Sequence, residues 1–109
     1  MILDVGIDIE KIMRFNGVSE EFLNLIFTKK EIKYCRNKKQ PLISFAGKFC
    51  AKEAVIKAHK KKMDMKDIEI SLGEDKKIKV SISGKYQKNI FCSISHTNEN
   101  AIAYVIIEK

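Results

Sequence analysis

The feature that most constrains this chain is one long helical pattern at its centre. Pro41 opens it, Leu42, Phe45, Ala46, Phe49, Cys50 and Ile56 follow at helical intervals, and the Lys60-Lys61-Lys62 run closes it favourably against the helix dipole. At 109 residues the chain has the length of one domain, so a single core must serve everything and this helix is its axis.

The remaining segments read as elements packed around that helix. Residues 2–9 alternate, with Leu3, Val5, Ile7 and Ile9 on one side and Asp4, Gly6 and Asp8 on the other, which is the period of a half-buried strand carrying two carboxylates on one face. Ser19 ahead of Glu20, Glu21 and Phe22 predicts a capped helix. Thr28 followed by Glu31 repeats the capping signal for a second short one. Beyond the long helix, residues 68–72 and 78–82 alternate around Gly73-Glu74-Asp75 and predict a hairpin. Ser83 and Gly84 break the pattern ahead of a short helical piece, and residues 91–95 and 101–107 flank a polar turn at 97–100, giving a second hairpin. One strand, a run of helices and then four strands, without repeat or linker, predict a single α+β domain over residues 1–109 with an antiparallel sheet of C-terminal hairpins.

Charge and composition narrow the function. A formal charge of +7 implies an anionic partner. Only Arg14 and Arg36 are arginines, however, and arginine is the side chain that reads guanine and phosphate with two parallel hydrogen bonds, so sequence-specific nucleic-acid binding is disfavoured. Cys35, Cys50 and Cys92 stand far apart, with no zinc or redox spacing, and read as reduced core thiols. No run of apolar residues is long enough to cross a membrane, and a cytoplasmic protein is expected.

Two polar residues sit in apolar patterns. Glu53 falls within the stripe of the long helix, where an ionised carboxylate needs a partner. Lys57, one turn on, offers a structural ion pair; convergence with Asp8 of the first strand would instead make a hard-oxygen site suited to Mg²⁺ and a substrate phosphate. His96 ends Ser93-Ile94-Ser95-His96 at a strand-to-turn junction, and reads either as a surface turn residue or as a phosphate contact beside two hydroxyls. No Gly-x-Ser-x-Gly elbow, phosphate-binding Gly-x-x-x-x-Gly-Lys loop or dinucleotide fingerprint is present.

Three segments together resemble the holo-acyl-carrier-protein synthase family of phosphopantetheinyl transferases. They are Gly6-Ile7-Asp8 with the later Arg14; Phe49-Cys50-Ala51-Lys52-Glu53 with Lys57-Ala58; and Ser93-Ile94-Ser95-His96-Thr97 with the closing strand from Ala101 to Glu108. Phe27-Thr28-Lys29-Lys30-Glu31 is a weaker fourth match. The resemblance implies Mg²⁺-dependent transfer of phosphopantetheine from coenzyme A to a serine of apo-acyl carrier protein, for fatty acid biosynthesis, by a homotrimer whose sites are shared between neighbours. It further implies that Asp8 and Glu53 hold the metal, that Lys57 meets the reacting phosphate, that Lys48, Lys52, Ser95 and His96 contact coenzyme A, and that Arg14 faces the carrier protein. The family follows Lys-Ala with a glycine-rich loop, whereas this chain continues His59-Lys60-Lys61-Lys62-Met63-Asp64. That departure keeps a catalytically weakened coenzyme-A-binding homologue as the alternative, beside a basic module for RNA or an acidic protein.

Overall fold

The computed structural model describes all residues from Met1 to Lys109. In chain order the elements are β1 (Ile2–Lys11), α1 (Glu20–Ile26), α2 (Lys29–Arg36), α3 (Pro41–His59), β2 (Ile68–Leu72), β3 (Ile78–Ile82), β4 (Lys85–Tyr86), β5 (Ile90–His96) and β6 (Asn100–Glu108). Short 3-10 turns follow β1 and precede β2. The strands form two antiparallel sheets, ordered β1-β6-β5 and β2-β3-β4, in place of one sheet of hairpins. The piece after Gly84, read as helical, is the short strand β4. Ser83 and Gly84 both adopt positive φ, making a turn tight enough to bring Lys85 and Tyr86 back onto β3.

The helix starts follow their caps. The Ser19 hydroxyl accepts from the Phe22 amide, and Thr28 with Glu31 closes a reciprocal capping box at the head of α2. Pro41 sits in the first turn of α3 as its missing N–H allows. The helix stops at His59, because Lys60 turns into the left-handed region at φ 58°, so the lysine run lies beyond the helix rather than in its last turn.

A narrow apolar stripe does not describe α3. Every residue from Phe45 to Lys52 is buried, and Ala54, Val55 and Ala58 continue the buried stretch, since sheet β1-β6-β5 covers one flank while α2 and β2 cover others. Phe15, Phe27, Phe45 and Phe49 interlock beneath it, with ring centroids 5.2–6.3 Å apart. Where β1 crosses α3 the backbones touch. A Cβ at Gly6 would stand 2.0 Å from the Ala54 carbonyl oxygen, so only glycine allows the crossing.

This crossing decides which side of β1 faces in. Gly6 and Asp8 are buried against α3, and Leu3, Val5, Ile7 and Ile9 are exposed. The strand is half-buried as its period predicts, with the apolar side outward. In the register of the sheet Ile7 stands beside Tyr104, and Val5 beside Ile106, which in turn pairs with Phe91. Val5, Ile7, Ile9, Phe91, Ile102 and Tyr104 thus form an uncovered apolar face.

Candidate active site

The Gly6 crossing brings the inner carboxylates of β1 to the C-terminal half of α3. Lys57 does not pair with Glu53, the structural alternative. Its ammonium donates to Asp8 Oδ1 at 3.1 Å and to the Ile7 carbonyl at 3.0 Å, and its side chain remains half exposed. Asp8 is 8% exposed, and its second oxygen, Oδ2, is buried with no hydrogen-bond partner. A buried carboxylate oxygen left bare is costly, and a cation is the partner that best satisfies it.

Glu53 lies one helical turn before Lys57, half-buried and without an ion pair. No three His, Cys, Asp or Glu side chains converge into a ready-made cage, so a cation held here takes its other ligands from water and substrate, as Mg²⁺ ordinarily does. The residues present therefore fit Mg²⁺.

Glu10 is a neighbour the sequence reading passed over. It continues the inward face of β1, and its carboxylate meets Arg14 at 2.6 Å. Burial, with the adjacent Asp8 carboxyl adding to it, pushes Glu10 up from the ordinary carboxylate value, and Arg14 opposes the shift. The alternation of residues 2–9 extends by one more inward position to reach it, which is the signal that finds it. The Arg14 guanidinium also lies 4.7 Å from the centre of the Phe49 ring, at the edge of this cluster.

Lys48 and His96 belong to a different place. They line a cavity of roughly 210 Å³ between the first half of α3, β2-β3 and the end of β5, with an apolar floor that includes Ile70, Ile78 and Ile94. Lys48 is nearly buried and donates to the Ile70 carbonyl. His96 lines the cavity, and its Nδ1 lies 3.2 Å from the Thr97 carbonyl. Ser95 is separated from His96 by the pleat, and stands with Ser93 on the exposed apolar side of the sheet.

Lys52 is at neither place. It is fully buried, and its ammonium is consumed by Glu31 at 2.6 Å and by the Ile26 and Met65 carbonyls at 2.8 and 3.0 Å. Glu31 in turn accepts from the amides of Thr28 and Ile70. Within one chain no donor of Lys52 is left for a ligand.

Lys48 and Glu53 are five residues apart on α3, about 140° around the helix, so the carboxylate cluster and the anion cleft occupy different flanks of it. The chain thus presents two separate polar places. One is Asp8 with Lys57 and the neighbouring Glu10, with Glu53 one helical turn from Lys57, suited to a cation and a phosphate. The other is a basic, apolar-floored cleft, suited to a ring system carrying an anion.

The family model for the 4'-phosphopantetheinyl transferase superfamily matches residues 4–105 of this chain. The chain is 41% identical to a holo-[acyl-carrier-protein] synthase of Thermodesulfovibrio yellowstonii, covering 98% of this chain and 99% of that one. It is 44% identical to the enzyme of the same name from Clostridium novyi, covering 99% of this chain and 88% of that one. Among solved structures, the holo-(acyl-carrier-protein) synthase of Bacillus anthracis in complex with CoA (3',5'-ADP) superposes with a TM-score of 0.85 at 29% identity, covering 100% of this chain and 98% of that one. The Helicobacter pylori synthase in complex with coenzyme A gives 0.79 at 29% identity, over 95% of this chain and 99% of that one.

Proposed function

Because this chain belongs to the 4'-phosphopantetheinyl transferase superfamily, we propose that it acts as a holo-acyl-carrier-protein synthase, moving phosphopantetheine from coenzyme A to a serine of apo-acyl carrier protein. The observation that carries the reading to the residues is the bare, buried Oδ2 of Asp8, whose other oxygen meets Lys57, one turn along α3 from Glu53. Asp8 and Glu53 would hold Mg²⁺, and the ion would supply charge neutralisation for the pyrophosphate of coenzyme A.

The carrier serine attacks the β-phosphorus, the bond to the α-phosphate breaks, and adenosine 3',5'-bisphosphate leaves. Lys57, with two donors committed to Ile7 and Asp8, keeps its third for a phosphoryl oxygen and stabilises the charge that builds there. Glu53, through the carboxylate oxygen that would not face the cation, takes the serine proton directly or through one water. Arg14 faces the acidic carrier, and the +7 charge of the chain steers that encounter. The setting is cytoplasmic fatty acid biosynthesis. No helix of the chain is long and apolar enough to cross a membrane.

The placement of the two half-sites on opposite flanks of α3, with an uncovered apolar face on the sheet, supports a homotrimer in which the carboxylates of one copy meet the cleft of the next. Ser95, on that apolar face, then reaches the site from the neighbouring copy. The run after Lys57-Ala58 lacks glycine yet keeps Lys60 ion-paired to Asp4 at 2.8 Å, so the end of α3 stays anchored to β1 without the loop.

The test is incubation with coenzyme A, Mg²⁺ and apo-acyl carrier protein, followed by mass spectrometry of the carrier. The expected result is a gain of one phosphopantetheine that EDTA abolishes. Asp8→Asn and Glu53→Gln should each lower turnover by about a thousandfold or more, and should weaken Mg²⁺ binding measured by calorimetry without substrate, with the fold intact. Near-normal turnover in either variant overturns the assignment of the carboxylates.

A further inference from the structure

Lys48 is an unusual residue to find almost buried, because it carries no carboxylate partner. One donor goes to the Ile70 carbonyl, and no ion pair covers the rest of its charge. What faces it is the ring of Tyr34, on α2, with the ammonium 4.4 Å from the ring centre. A second ammonium, that of Lys38, lies 4.4 Å from the same ring centre. Tyr34 lines the apolar-floored cavity with Lys48 and His96, and also the adjoining opening that Lys38 borders. One aromatic ring therefore holds two cations at one cleft, and neither is in an ion pair: of the carboxylates bordering a further opening beside Tyr34 and Lys48, Glu31 is committed to Lys52 and Glu69 accepts from the Thr28 hydroxyl.

A carboxylate in place of this ring would bind both lysines more firmly, but it would neutralise them and compete with an anionic ligand. The π face attracts a cation through its quadrupole and leaves the net charge intact. We propose that Tyr34 is a positioning residue of the anion cleft, holding Lys48 and Lys38 so that their uncancelled charge favours ligands bearing a phosphate monoester beyond the nucleoside. The proposal rests on the reading of this cleft as the nucleotide half of the transferase site, and it deepens that reading. Tyr34 itself need not touch the ligand.

The experiment compares binding of adenosine 3',5'-bisphosphate and adenosine 5'-monophosphate by calorimetry, using the full chain in its native assembly. The wild type should favour the bisphosphate. Tyr34→Leu, of similar apolar bulk without a π face, should reduce that preference by about fivefold to twentyfold with the monophosphate affinity little changed, and Tyr34→Phe should restore it. Should Tyr34→Leu fold poorly, phenylalanine analogues of increasing ring fluorination at position 34 should lower the preference stepwise, a trend that shape alone does not produce. An unchanged preference in Tyr34→Leu or across the fluorinated series overturns the proposal. Lys48→Met separates the two layers of the argument. If it removes the preference while the Tyr34 variants do not, the cleft stands and the role of the ring falls; if Lys48→Met also leaves bisphosphate binding unchanged, the placement of the nucleotide falls, and the proposal with it.

Discussion

At the scale of single residues, the chain separates polar groups that do chemistry from those that hold structure, and burial with its partners tells them apart. Asp8 is buried with one bare oxygen, whereas Lys52 is buried with every donor used. Both occur in the motif-bearing segments, and the resemblance implies a site role for each, Asp8 at the metal and Lys52 at coenzyme A. The three-dimensional partners of Lys52, Glu31 and two carbonyls from distant segments, carry no local pattern that a reader of the chain could use. The thiols behave differently again. Burial raises both Cys50 and Cys92 to about 12, with the Asp8 and Glu10 carboxylates adding to the effect on Cys50. The folded chain therefore keeps protons that the unfolded chain loses above its ordinary value of 9.0, and stability falls as pH rises from there toward about 12. Urea midpoints measured at pH 8 and pH 10.5 should differ more in the wild type than in a Cys50→Ala/Cys92→Ala variant, and both thiols should resist Ellman's reagent at pH 8 until the chain unfolds.

At the scale of elements, the Lys52–Glu31 pair is the joint of the helical layer. It ties α3 to the cap of α2, to the end of α1, to β2 and to the turn at Met65. Removing one partner leaves a buried charge uncompensated. Lys52→Met should cost about 3–5 kcal/mol, measured by denaturant unfolding, and the Glu31→Leu/Lys52→Met double variant should recover part of that loss. The elements themselves were largely legible. Both caps, the long helix and both hairpins follow from local signals, because capping and period are properties of neighbouring residues. The strand β4 was not, since two residues returned by a positive-φ turn carry no period at all. The division into two sheets was hidden for another reason: β1 finds β6 across almost the whole chain, and no local pattern announces the pairing.

At the scale of the whole molecule, the phase of β1 is the instructive case. Its alternation is plain, but alternation does not say whether the apolar side is covered by the chain's own helix or by another copy. Gly6 settles the inward side by steric fit, and the face bearing Val5, Ile7, Ile9, Phe91 and Tyr104 is left open. In the proposed homotrimer this exposed apolar face is the surface a neighbouring copy covers. A charge at its centre, Ile7→Glu, should yield monomers by analytical ultracentrifugation and lose transferase activity with Asp8 untouched; an active monomer would refute the shared site.

The two flanks of α3 have a genetic corollary. If each reaction centre takes its carboxylates from one copy and its cleft from the next, a lesion on one flank and a lesion on the other are recessive to each other. Glu53→Gln and Lys48→Met chains unfolded together and refolded as mixed assemblies should show more activity than the two show separately, because some neighbouring pairs then join an intact carboxylate flank to an intact cleft. Two different lesions on the same flank should never rescue one another.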